Sequence, residues 1–95
     1  MEAEKDYYKD TINTLILGRV VKKLRVKKGL TLRQLANSIR VDDKERAIDP
    51  SFISLVERGE RTMSYPVLKA VAIALGVEPK WLIALALPVH PTVRS

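Results

Sequence analysis

Apolar residues recur at helical spacing between Thr11 and Lys28, where Leu17, Val20, Val21 and Leu24 form one stripe ahead of Gly29. That period predicts an amphipathic helix with the glycine as its stop. A second helix is predicted from Thr31 to about Arg40, with Leu35, Ala36 and Ile39 on its apolar face. Its start is marked by Thr31 and Gln34, a capping box in which the hydroxyl accepts from the Gln34 N–H and the Gln34 side chain reaches back. Asp49-Pro50 opens a third helix running to Arg58, with Ile53 and Val56 inward and Gly59 ending it. Ser64 caps a fourth carrying Leu68, Val71, Ala72 and Leu75 up to Gly76, and Pro66 sits in its first turn, where proline is tolerated. A short fifth helix spans Pro79 to about Leu87, Leu82 and Leu85 facing the core and Pro88 terminating it. No stretch alternates in the manner of a strand. The expected fold class is all-α: one five-helix domain over residues 11–87, an N-terminal extension over 1–10 and an extended tail over 88–95.

Helices two and three, with the small Ala36 where they should cross, have the helix-turn-helix layout, whose usual work is to lay its second helix in the DNA major groove. The connection between them is long. Val41 to Ile48 centres on Asp42-Asp43-Lys44-Glu45-Arg46 and reads as an exposed inserted loop or a partial extension of helix two.

Ninety-five residues support a single small core. The net charge of +6 is unevenly spread: residues 1–10 hold four acids against two lysines, whereas Arg19, Lys22, Lys23, Arg25, Lys27 and Lys28 have no acid among them. Such a face attracts a polyanion and releases its counterions; by itself it is equally the solvated surface of a soluble small domain. Cysteine is absent, which excludes a disulfide framework and thiolate metal ligation. The apolar run Trp81–Val89 falls far short of the roughly 18 residues a membrane span requires. The N-terminus lacks a signal-peptide pattern, and a cytoplasmic protein is expected.

The ordered set Leu17-Gly18-Arg19, Leu24-Arg25, Gly29-Leu30-Thr31, Leu35-Ala36, Ile53-Ser54, Glu57-Arg58-Gly59-Glu60-Arg61 and Leu75-Gly76-Val77 resembles the phage-repressor and Cro family, the XRE-type helix-turn-helix, over about residues 15–85. The resemblance implies a compact lambda-repressor-like bundle of five helices, prokaryotic or phage in setting and nucleoid-associated. It implies a homodimer on double-stranded DNA, regulating transcription, most often as a repressor at a palindromic operator. It implies a structural ion pair between Arg25 and Glu57, which removes Arg25 from the DNA-facing cations. Base-reading positions fall on Pro50, Ser51, Phe52, Ser54 and Leu55, where relatives often carry Gln, Arg or Asn. Here a proline has no side-chain donor and a leucine reaches only a thymine methyl, so base readout is expected to be shallow. Arg33, Arg58 and Arg61 are the expected phosphate contacts, joined by the N–H groups at the start of helix two; Thr31 and Gln34 there belong to the expected DNA-binding set, and Leu32 stands where relatives frequently place a phosphate-facing Gln. Relatives also place a glycine near Arg40 and connect the two helices tightly. The rival reading keeps the fold but makes it a protein-interaction module with weak or sequence-independent DNA binding, as in an antitoxin, plasmid or mobile-element accessory factor.

Nothing else in the chain points to other chemistry. His90 has no second histidine or cysteine to converge with. Asp42, Asp43 and Glu45 lack calcium-loop spacing. Tyr7, Tyr8 and Tyr65 are too scattered for a stacking platform. Trp81 is expected to cap the core or to join Ile83 and Leu87 at a dimer contact. No enzyme activity, metal, cofactor or small-molecule ligand is expected.

Overall fold

The computed structural model describes residues 13–40 and 48–86. They form five helices: α1 Thr14–Lys27, α2 Leu32–Ser38, α3 Pro50–Glu57, α4 Tyr65–Leu75 and α5 Pro79–Leu85. Four start with a side chain accepting a backbone N–H. Asn13 Oδ1 takes Ile16 N–H at 3.0 Å, Asp49 Oδ1 takes Ser51 N–H at 2.9 Å and Ser64 Oγ takes Val67 N–H at 3.4 Å. At α2 the capping box closes in both directions: Thr31 Oγ1 accepts from Gln34 N–H at 3.0 Å and Thr31 N–H donates to Gln34 Oε1 at 2.8 Å. The fifth helix has no side-chain cap at Glu78 and relies on Pro79 at its first turn.

At the end of α3, Gly59 adopts φ +77°, so that its N–H reaches Val56 O at 3.0 Å and Glu60 N–H reaches Leu55 O at 2.9 Å. This paired closure satisfies two terminal carbonyls and needs a left-handed residue, which glycine supplies without a Cβ penalty. Gly29 and Gly76 end α1 and α4 with the same hydrogen-bond pattern.

The stripes read from the sequence meet in one core. Leu17 and Val21 of α1, Leu35 and Ala36 of α2, Ile53 and Val56 of α3, and Leu68, Val71, Ala72 and Leu75 of α4 are buried, while Val20 and Leu24 pack at its edge. The first helix packs against α3 and α5, α2 against α3 and α4, and α4 against α5. Asn13 N–H donates to Ala86 O at 2.9 Å, tying the start of α1 to the end of α5.

Three helix ends differ from expectation. The first helix starts at Thr14 because Asn13 is its cap. The second stops at Ser38, not Arg40: Ile39 is extended and fully buried, and the Arg40 guanidinium donates to Asn37 O at 2.7 Å and Ile39 O at 3.0 Å. A cationic side chain thus occupies terminal carbonyls where relatives use a glycine. The fifth ends at Leu85. Its inward face is built from Leu82 and Ala86, one turn apart, which turns Leu85 outward at 44% exposure and corrects its assignment to the core. Trp81 is likewise 47% exposed, so it does not cap the core.

The expected 1–10 extension with Tyr7 and Tyr8, the inserted loop at 41–47 with its acids, and Leu87, His90 and the rest of the 88–95 tail lie outside the described residues. Among the described residues there is no cluster of three or more His, Asp or Glu able to hold a metal, and no helix is long and apolar enough to cross a membrane.

Candidate nucleic-acid interface

The expected contact residues come from the N-terminal ends of α2 and α3 and from the turn after α3. Thr31, Arg33 and Gln34 are exposed on the first turn of α2, Ser51 on the first turn of α3, and Arg58 and Arg61 on the turn that follows it. Ser54 and Leu55 are half-buried, and Phe52 is half-buried with its ring against the core. Pro50, also half-buried, fixes the first turn of α3. The capping box engages Thr31 Oγ1 as an acceptor and Gln34 Oε1 as an acceptor, which leaves the Thr31 hydroxyl proton and the Gln34 amide protons as the outward donors.

The turn carrying Arg58 and Arg61 is held from behind. Met63 is fully buried, and the hydroxyls of Thr62 and Thr14 meet at 3.0 Å. Arg58 lies 3.4 Å from Glu60, both side chains 57% exposed; an exposed pair of this kind adds little stability and leaves the guanidinium able to exchange partners.

Beneath this surface lies the pair that joins α1 to α3. Arg25 Nε donates to Glu57 Oε2 at 2.6 Å and Arg25 Nη2 to Glu57 Oε1 at 3.0 Å, in a bidentate arrangement. The third arm, Nη1, donates to Leu30 O at 2.7 Å, immediately before the cap of α2. One guanidinium therefore fixes the C-terminal end of α3, the α1–α2 junction and its own helix relative to one another. The hydrogen bonding it donates to Glu57 raises the Arg25 pKa above its ordinary value, burial opposes that, and the Glu57 charge adds to the rise. The sequence pattern gives no sign of the Leu30 contact, since a main-chain acceptor has no signature.

The other cations of the basic run lie elsewhere. Arg19, Lys22 and Lys23 line an open groove together with Leu15 and Val26 of α1 and Glu57 and Arg58 at the end of α3. They extend the positive surface away from Arg58 along α1. Tyr65 is half-buried and has the Lys69 ammonium over its ring, 5.6 Å from the centre.

Besides Glu60, a second exposed acid stands among these residues. Asp49, the cap of α3, is fully exposed. Its Oδ1 accepts both the N–H and the hydroxyl of Ser51, each at 2.9 Å. The Ser51 N–H, then its hydroxyl, hold the carboxyl below the ordinary aspartate value, with a smaller contribution from the charge of Arg33 on α2. Sequence reasoning took Asp49 only as a cap.

Residues 18–88 match a family model described as a helix-turn-helix domain. The fold is similar to the crystal structure of the clp gene regulator ClgR from Corynebacterium glutamicum, at 31% sequence identity and a TM-score of 0.66, covering 79% of this chain and 87% of that one. It is also similar to the restriction-modification controller protein C.AhdI from Aeromonas hydrophila, at 32% identity and a TM-score of 0.60, covering 81% of this chain and 97% of that one. No curated protein sequence matches the chain. The capped α2–α3 unit, the matched model and the two structural likenesses agree: this chain belongs to the XRE-type helix-turn-helix family of DNA-binding transcriptional regulators.

Proposed function

We propose that this regulator is a cytoplasmic homodimer that represses transcription by binding a palindromic operator, placing α3 of each copy in successive major grooves. The carrying observation is the exposure of Thr31, Arg33 and Gln34 on the first turn of α2, of Ser51 on the first turn of α3, and of Arg58 and Arg61 in the turn that follows α3. In this reading Thr31, Arg33, Gln34, Arg58 and Arg61 grip phosphates, while Ser51, Phe52, Ser54 and Leu55 present the groove-facing edge. Phosphate contacts set position and affinity; the few groups on α3 set sequence. The family's work is regulation, and nothing in the chain argues for catalysis.

Selection of bound duplexes from a random pool tests this. An inverted repeat with half-site centres about 34 Å apart is expected for a two-fold dimer. A pool indistinguishable from scrambled duplex would instead support the interaction-module reading. If about six phosphates are neutralised, log affinity should fall against log salt with a slope near −5. Arg33→Glu should flatten that slope and weaken binding to every sequence alike; an unchanged slope would remove Arg33 from the interface.

Support for the dimer comes from α5. Trp81 and Leu85 are one turn apart and 47% and 44% exposed, an apolar pair beside the inward face that carries Leu82. A second copy would cover it. Leu85→Glu should convert the dimer to monomer in analytical ultracentrifugation without loss of helicity. A variant that still sediments as a dimer would place the contact elsewhere.

A further inference from the structure

We propose that Asp49 and Ser51 form an acceptor-only reading edge at the head of α3, which selects a cytosine amino group at one position in each half-site. The inference rests on the reading of α3 as the groove-entering helix. Both bonds from Ser51 end on the same carboxylate oxygen of Asp49, its N–H and its hydroxyl each at 2.9 Å from Oδ1. Two consequences follow from the donor and acceptor inventory. Asp49 Oδ2 keeps its lone pairs, with no hydrogen bond to another described residue. Ser51 has spent its single hydroxyl proton inside the protein, so outwardly its oxygen can only accept. A residue type that would otherwise be permissive, donating or accepting, is committed to one polarity by its neighbour.

The N-terminal residues of a recognition helix are those that meet base edges. Asp49 is fully exposed there, and Pro50 between the two acceptors contributes neither an N–H nor a polar side chain. A bare carboxylate entering a groove walled by phosphates is repelled unless it meets a donor. In the major groove the donors are the amino groups of cytosine and adenine. The adenine amino group stands between two acceptors, its own N7 and the thymine O4. That of cytosine has an acceptor, guanine O6, on one side and the C5–H edge on the other. The carboxylate therefore favours cytosine and disfavours a guanine or thymine edge at the same place. Its hydrogen bonds from Ser51 favour the ionised form. The charge of Arg33 on α2 also favours the ionised carboxylate, which tempers the repulsion from the backbone.

The test compares pools selected from random duplex by the full chain and by Asp49→Asn and Asp49→Ser. Asparagine and serine are good N-caps, and circular dichroism of each variant checks that helicity is kept. The wild type should enrich cytosine at one position of each half-site. In Asp49→Asn that preference should fall by about tenfold, the scale of one good base contact, and move toward adenine, which an amide can read in both senses. Asp49→Ser should leave the position without strong preference. A wild-type motif lacking cytosine, or a motif that survives both substitutions unchanged, would overturn the inference while leaving sequence-specific binding intact. A wild-type pool with no motif would overturn the groove reading itself, and this inference with it.

Discussion

Replacing Glu57 with glutamine should lower the unfolding free energy by about 3 kcal/mol, because it leaves the largely buried Arg25 cation without a counter-charge. The side chains of the pair are 12% and 6% exposed, so solvent screens little of the loss. For a domain of this size the melting temperature should fall on the order of 10–20 °C. The effect should spread beyond α3, since the same guanidinium holds Leu30 O at the α1–α2 junction. Arg25→Met combined with Glu57→Leu should recover most of the stability, as apolar replacements of a buried pair often do. Denaturant unfolding of both variants checks this; a Glu57→Gln protein within 1 kcal/mol of the parent, a threshold well below the roughly 3–5 kcal/mol typical of such losses, would show that water reaches the pair. The exposed Arg58–Glu60 contact supplies the contrast. Glu60→Gln should change stability by no more than about 0.5 kcal/mol, yet it should strengthen DNA binding by freeing Arg58 for phosphate.

The helices were legible because their signals are local. Thr31 with Gln34, Asp49 with Pro50, Ser64, and the glycines at 29, 59 and 76 each act within one turn, so four or five residues suffice to place an end. The apolar stripes were legible for the same reason, and nearly every residue assigned to the core is in it. Leu85 failed because a seven-residue helix offers too few positions for periodicity to choose between faces; packing against α1 and α4 made the choice. Met63 escaped notice because a single apolar residue in a polar turn has no period at all. Arg25 and Glu57 stand 32 positions apart, and nothing in their neighbourhoods pairs them. Their joining was available only through resemblance.

For the candidate interface, exposure was legible and hydrogen-bond polarity was not. Exposure of Arg33, Ser51, Arg58 and Arg61 follows from their place on polar faces. That Ser51 turns its hydroxyl proton toward Asp49 is a matter of rotamer and cap geometry, which no spacing encodes. The same holds for Arg40, whose guanidinium closes the end of α2. Side chains that bond to main chain are the systematic omission, because the acceptor is present at every residue and marks none.

Gly18→Ala is expected to destabilise the fold by about 2–3 kcal/mol, against the sign that helix propensity alone would give. Gly18 lies inside α1, where alanine is intrinsically favoured over glycine by about 1 kcal/mol. A Cβ at that position, however, would stand 2.1 Å from Val56 O and 2.9 Å from Glu57 O. Both neighbours are main-chain carbonyls, so no side chain can rotate aside. Ordinary contact distances near 3.5 Å require α1 to lift from α3 by roughly 1 Å or more. The lift also stretches the Arg25–Glu57 bonds, since Arg25 sits two turns further along α1. Glycine at this point therefore sets how closely α3 is held to the bundle, and through that the angle at which its first turn is presented. Gly29→Ala serves as the control: its Cβ meets nothing within 4 Å, and its cost is the left-handed backbone alone, about 1–2 kcal/mol. Urea unfolding separates the two. A Gly18→Ala protein as stable as the parent would mean that α1 and α3 lie further apart than this packing requires. A destabilised one that also binds operator more weakly at saturating folded fraction would place the control of α3 orientation at Gly18.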